Sequence, residues 1–163
     1  MRLRLTRTRA AMIIVAALVP LLLAAILYGT REDPPQPAQV AEPGQTTLLG
    51  FIAISATGAD PSQLQVTTLK SMADQYGPAG LRVVIVDTSS ADPDTLTNYP
   101  YDRHLVGVTL VGDADAAIAR RYGVQAAPTT VLIGPDGAVV HRWDGLALSQ
   151  DLALVIQQRP GMG

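Results

Sequence analysis

The chain has 163 residues, 48% of them hydrophobic and 16% charged, a length that suits one domain with some chain left over. Its 12 basic and 14 acidic side chains leave a net charge of −2; Arg2, Arg4, Arg7 and Arg9 hold four of the basic ones, so the remainder is net −6 and lacks the clustered Lys and Arg of a nucleic-acid surface. No cysteine is present, which excludes a disulfide framework and thiol chemistry of any kind, while saying nothing of compartment.

Residues 10–28, AAMIIVAALVPLLLAAILY, form an uncharged apolar run. As a helix rising about 1.5 Å per residue it would cross the hydrocarbon core of a bilayer. Residues 1–9 then form a basic cytoplasmic tail, and the arginines before the run place the body outside. Pro20 near the middle is tolerated in a membrane helix. The run reads as an uncleaved signal-anchor or as a cleaved signal peptide that would release a secreted body. For cleavage, Gly29 is small but Leu27 two residues before it is not. A buried core helix is the third reading. Residues 29–46 are rich in proline and poor in apolar groups, so they read as an extended spacer that holds the body off the membrane.

From residue 47 to residue 160 the pattern is that of a folded α/β domain. Leu48–Ile54 is a short apolar run that suits a buried strand. Asp60 then suits an N-cap and Pro61 the first helical position, and Gln63 completes a D-x-x-Q capping box. Leu69, Met72, Ala73 and Tyr76 recur at helical spacing until Gly77-Pro78 ends the helix. Leu81–Val86 is a second strand. Residues 88–104 carry few apolar groups and predict no more than one helical turn. Val106–Val111 reads as a third strand and Asp113–Tyr122 as a short helix, acidic at its start and basic at Arg120 and Arg121, stopped by Gly123. Thr129–Ile133 and Ala138–Trp143 flank Gly134-Pro135-Asp136-Gly137, a hairpin signal. Ser149 caps a last helix through Gln157, with Leu152, Val155 and Ile156 turned inward. This order predicts parallel strands joined by helices, closed by an antiparallel hairpin.

Two segments carry a family resemblance. One is FIAISATGADPS, residues 51–62; the other is Tyr122-Gly123-Val124, then Ala127-Pro128-Thr129-Thr130-Val131-Leu132-Ile133, the Pro135-Asp136-Gly137 turn and Gly145. Together they resemble the membrane-anchored, extracytoplasmic thiol–disulfide reductases of the TlpA/ResA type. The resemblance implies a thioredoxin-like three-layer α/β domain with a central mixed sheet, here preceded by one transmembrane helix. It lays the family's Cys-x-x-Cys on Ala59, Asp60, Pro61 and Ser62, and the tryptophan before it on Gly58. Ala59 has no nucleophile and Ser62 offers only a hydroxyl, so the family's redox chemistry does not carry over. The resemblance also implies a cis peptide bond before Pro128, and a substrate-binding edge made by Ala127, Pro128 and Thr129 with Gly58. The plainer reading is that the cis turn only aims the fourth strand into the sheet.

Other chemistry has little support in the residues. His104 and His141 stand alone without metal-ligand spacing. Ser62 lacks a nucleophile-elbow sequence, and no glycine-rich phosphate loop occurs. Asp60 suits a cap better than a general acid. Tyr99, Tyr101 and Trp143 are read as packing. The tip of the Asp60 helix would attract an anion through its dipole, a tendency that Asp60 itself opposes. The expected protein is therefore redox-inactive, free of cofactor and metal, and tethered to a bacterial cytoplasmic membrane with its N-terminus inside. It binds or assembles proteins, with an extended peptide or a protein as partner and no nucleic acid. The competing reading makes it one part of a thiol–disulfide or cytochrome-maturation system whose cysteines come from a partner.

Overall fold

The computed structural model describes residues 40–57 and 60–162; the apolar run at 10–28 lies outside them. Among the described residues no helix is long and apolar enough to cross a membrane. In chain order the elements are β1 (Thr47–Ile52), α1 (Pro61–Tyr76), a 3-10 turn (Gly77–Ala79), β2 (Arg82–Asp87), α2 (Pro93–Asp102), β3 (Val108–Gly112), α3 (Ala117–Arg121), β4 (Thr129–Ile133), β5 (Val139–Asp144) and α4 (Ser149–Ile156).

They build one five-stranded mixed sheet in the order β3-β2-β1-β4-β5. β1 pairs in parallel with β2, and β2 with β3, as helical crossovers require. β4 runs antiparallel to both β1 and β5. The sheet is mixed, as expected, but the antiparallel β1–β4 pair departs from the parallel pairing expected of strands joined by helices: the chain between β3 and β4 carries only the short α3 and crosses to the far side of β1. β5 carries a bulge, because Leu132 faces His141 while Ile133 faces Val139, leaving Val140 as the extra residue.

Alternation along the strands sorts side chains into two cores. Leu48, Ile52, Val83, Ile85 and Leu132 face one side with Val66, Leu69 and Met72 of α1 and Leu152 and Ile156 of α4. Leu49, Phe51, Val84, Val86, Val131 and Ile133 face the other with Ile118 and Ala119 of α3. The domain thus has three layers. Gly50 lets α1 approach, since a Cβ there would sit 2.1 Å from Leu69 Cδ1. α4 lies alongside α1 and parallel to it: Ala147, just before α4, bonds Gln65, and Gln157, just after it, bonds Tyr76.

Residues 40–46, the end of the proline-rich stretch, lie against this body. Val40 is buried in the second core, the Gly44 N–H donates to the Pro135 carbonyl, and Arg82 pairs with Glu42.

Several expected boundaries shift. Residues 88–104 hold a ten-residue helix rather than a single turn. Asp92 caps it through the Thr95 N–H and hydroxyl, and Pro93 occupies its first position. Pro100 sits inside it, which is why the pattern reads as broken. The helix expected over Asp113–Tyr122 shortens to five residues, because the Asp113 carboxylate reaches forward to the Ile118 and Ala119 N–H groups. Ser149 is the first residue of α4, and the cap position falls on Leu148, which makes no side-chain cap bond.

A candidate binding face at the start of α1

β1 delivers the chain to the loop before α1, and β4 delivers Pro128 to the same end of the sheet. Phe51 pairs with Thr129, so the residues preceding Thr129 lie beside the C-terminal end of β1. The Ala127–Pro128 peptide bond is cis. The loop after β5 ties this edge to α1: the Gly145 N–H donates to the Pro128 carbonyl at 2.9 Å, and the Ala147 N–H donates to Gln65 Oε1 at 2.8 Å. Asp60, Pro61 and Ser62 therefore share one end of the sheet with Ala127, Pro128 and Thr129. Gly58 and Ala59 lie outside the described residues.

The groups at this end are occupied in ways that limit their chemistry. Asp60 caps α1 by accepting from the Ser62 N–H at 2.8 Å. The Gln63 N–H is spent on the Asp60 carbonyl, and Pro61 has none to offer. The first turn of α1 thus has few donors left for an anion, contrary to the dipole expectation. Ser62 is buried, and its Oγ accepts weakly from the Ala53 N–H at 3.4 Å. Neither histidine hydrogen-bonds to it among the described residues: His141 packs against Trp143 on β5, with ring centroids 4.3 Å apart and planes tilted by 50°, and His104 follows α2. Among the described residues no cluster of potential metal ligands occurs.

Gln63 does not close a capping box. Its amide instead bridges the loop before α1 to α2: Nε2 donates to the Ile54 carbonyl at 3.4 Å, while Oε1 accepts from the Tyr99 hydroxyl at 3.3 Å and from Arg103. The Arg103 guanidinium also lies over the Tyr99 ring, 5.4 Å from its centroid. Burial pushes the Tyr99 phenol above its ordinary pKa, partly offset by the Arg103 charge and the Gln63 bond.

Asp87, at the end of β2, escaped the sequence reading because a lone acidic residue after an apolar run looks like a turn. It is fully buried. One carboxylate oxygen accepts from the Ile54 N–H at 3.2 Å and from the N–H and hydroxyl of Ser89; the other accepts from the Ala91 N–H at 2.9 Å. The signal available in the sequence was Asp-Thr-Ser-Ser, a pattern in which an acidic side chain closes on the following main chain.

Leu64, Leu146 and Leu148 are 55%, 42% and 50% exposed. Leu64 adjoins Gln65 in sequence, and Leu146 and Leu148 flank the Ala147 that bonds it, so the two segments that carry the three leucines are tied together. Ala127 is exposed, and its main-chain N–H and C=O make no hydrogen bond among the described residues.

The model of the AhpC/TSA family matches residues 38–142. No curated protein matches the chain. Among solved structures, StoA from Bacillus subtilis is similar at 18% identity and a TM-score of 0.58, covering 69% of this chain and 83% of that one. A secreted Mycobacterium tuberculosis disulfide oxidoreductase homologous to E. coli DsbE is similar at 21% identity and a TM-score of 0.55, covering 69% and 81%. The exposed lipoprotein thioredoxin Etrx1 from Streptococcus pneumoniae follows the same fold at 15% identity and a TM-score of 0.58, covering 71% and 86%.

Proposed function

The chain belongs to the AhpC/TSA family and has a thioredoxin-like fold, yet it contains no cysteine; on that premise we propose that it is a redox-inactive protein-binding module, tethered outside the cytoplasmic membrane through residues 10–28. The observation that carries the reading is the face at the start of α1. It holds no thiol, and the partly exposed Leu64, Leu146 and Leu148 lie on the start of α1 and the β5–α4 loop, at the same end of the sheet as the cis turn and Ala127, whose main chain makes no hydrogen bond among the described residues. Exposed aliphatic groups beside main-chain groups that make no hydrogen bond among the described residues suit an extended segment of another protein, through main-chain pairing and side-chain burial together.

The test is capture from a membrane extract by the full chain, compared with Leu64→Ser/Leu148→Ser and with Pro128→Ala. Partners that the native chain enriches and the variants lose support the reading. Equal recovery by all three proteins removes it. Catalytic turnover of a disulfide substrate by the purified chain would contradict the redox-inactive part.

A second reading rests on the same sulfur-free tip: the chain positions a partner that brings its own cysteines in a thiol–disulfide system. A partner captured through the α1 face that bears a cysteine pair, and whose reduction accelerates when the chain is added, favours this reading over plain assembly.

A further inference from the structure

Two polar side chains inside the domain are buried without being satisfied. Gln65 of α1 and Thr130 of β4 have no exposed surface. Neither Gln65 Nε2 nor Thr130 Oγ1 has a hydrogen-bond partner among the described residues, and Thr130 Oγ1 is the only side-chain oxygen in that condition there. An enclosed amide or hydroxyl is costly to leave unpaired, which is why nearly all such groups in folded proteins have a partner.

Both groups belong to the same core. Thr130 lies two residues before Leu132, so its side chain stands on the side of the sheet that α1 and α4 cover. It pairs with Gly50 of β1, and Leu69 of α1 packs over that glycine. Gln65 is four residues before Leu69, one turn nearer the start of α1 and on the same helix face. The loop after β5 joins the two elements: the Gly145 N–H bonds the Pro128 carbonyl, two residues before Thr130, and the Ala147 N–H bonds Gln65 Oε1. That last bond also orients the amide. Only Oε1 can meet an N–H, so Nε2, with its two donors, is turned away from Ala147.

We propose that one water molecule is held inside the domain between α1 and β4, accepting from Gln65 Nε2 and donating to Thr130 Oγ1. The two atoms do not bond each other, and a water spans a gap that a direct bond cannot. The pair suits water by its chemistry: an amide donor faces a hydroxyl, and neither carries charge. Neither atom touches solvent, so a larger guest has no access. Enclosed waters of this kind occur about once in 27 residues of a globular protein and serve polar groups that would otherwise be stranded. Through Gln65 the water also steadies the loop that carries Leu146 and Leu148, because the amide it orients is the acceptor for Ala147. Its presence does not depend on whether that face binds a partner.

A crystal structure of the full chain tests the site directly. One ordered water within about 2.7–3.2 Å of both Gln65 Nε2 and Thr130 Oγ1 is expected. A direct bond between the two side chains, a protein partner for either atom, or a dry gap overturns the proposal. Unfolding equilibria give a second measure. Gln65→Met and Thr130→Val each strand one side of the water, whereas the double variant strands neither. The double variant should therefore raise the unfolding constant about tenfold less than the product of the two single effects. The Ala147 bond is lost in Gln65→Met and in the double variant alike, so it drops out of the comparison. Single effects that simply multiply overturn the proposal. Amide exchange reads the loop: in Thr130→Val the rate at Ala147, taken relative to that at Ile54, should rise severalfold, and an unchanged ratio overturns the link between the water and the loop.

Discussion

Two parts of the α1 end differ in how they are held. Beneath the surface, Asp87 gathers three main-chain donors, Gly50 admits Leu69, and Gln63 clamps Ile54, Tyr99 and Arg103. At the surface, Asp60 and Pro61 start the helix, and Leu64, Leu146 and Leu148 are about half exposed. The supports hold this end of the sheet in one shape, while the tip has no thiol. Shape and thiol chemistry are thus separable here.

Substitutions should divide along the same line. The largest effect is expected at Asp87→Ala, which leaves the Ile54, Ser89 and Ala91 N–H groups without their acceptor; a loss of about 3 kcal/mol or more should appear in chemical denaturation. Gly50→Ala should follow, at about 1–3 kcal/mol, because Leu69 has to move from the new methyl. Asp60→Ala removes a helix cap and should cost about 1 kcal/mol. If Asp60→Ala cost more than Asp87→Ala, the division between support and tip would fail.

The pH profile gives a smaller signal from the support. The Tyr99 phenol ionises at higher pH in the folded chain than in the unfolded one, so its contribution is whole below pH 10.0 and declines as pH rises beyond that value. Tyr99→Phe should flatten this alkaline decline in thermal melts recorded across that range. The smallest stability change belongs to the tip: Leu64→Ser should alter stability by no more than about 0.5 kcal/mol while lowering partner recovery, and a large loss of stability there would erase the contrast.

How much of this was legible depended on whether the cause was local. β4 at Thr129–Ile133 was read at its true ends, because the cis turn and the Gly-Pro-Asp-Gly hairpin bound it on both sides. α1 was read through its cap, its proline and its 3.6-residue rhythm. α2 was missed because Tyr99 alone among its residues is buried, so it has almost no apolar stripe to detect. The antiparallel placement of β4 was not visible either: it follows from pairing with β1, some eighty residues earlier, which no local pattern records. At the candidate site, Asp60 and Pro61 were legible as a helix start, and Ser62 and Pro128 through the family resemblance. Asp87 and the role of Gln63 were not, since their partners come from separate loops and helices.

Pro61 has one more effect. It withholds an N–H where a helix would otherwise offer one, and Asp60 takes the next from Ser62. On the proposed reading, a partner at this surface gains little from counter-charge and is retained by leucine contacts and main-chain pairing. Its residence should therefore change little between dilute buffer and molar sodium chloride, where attachments that depend on opposite charges are washed away.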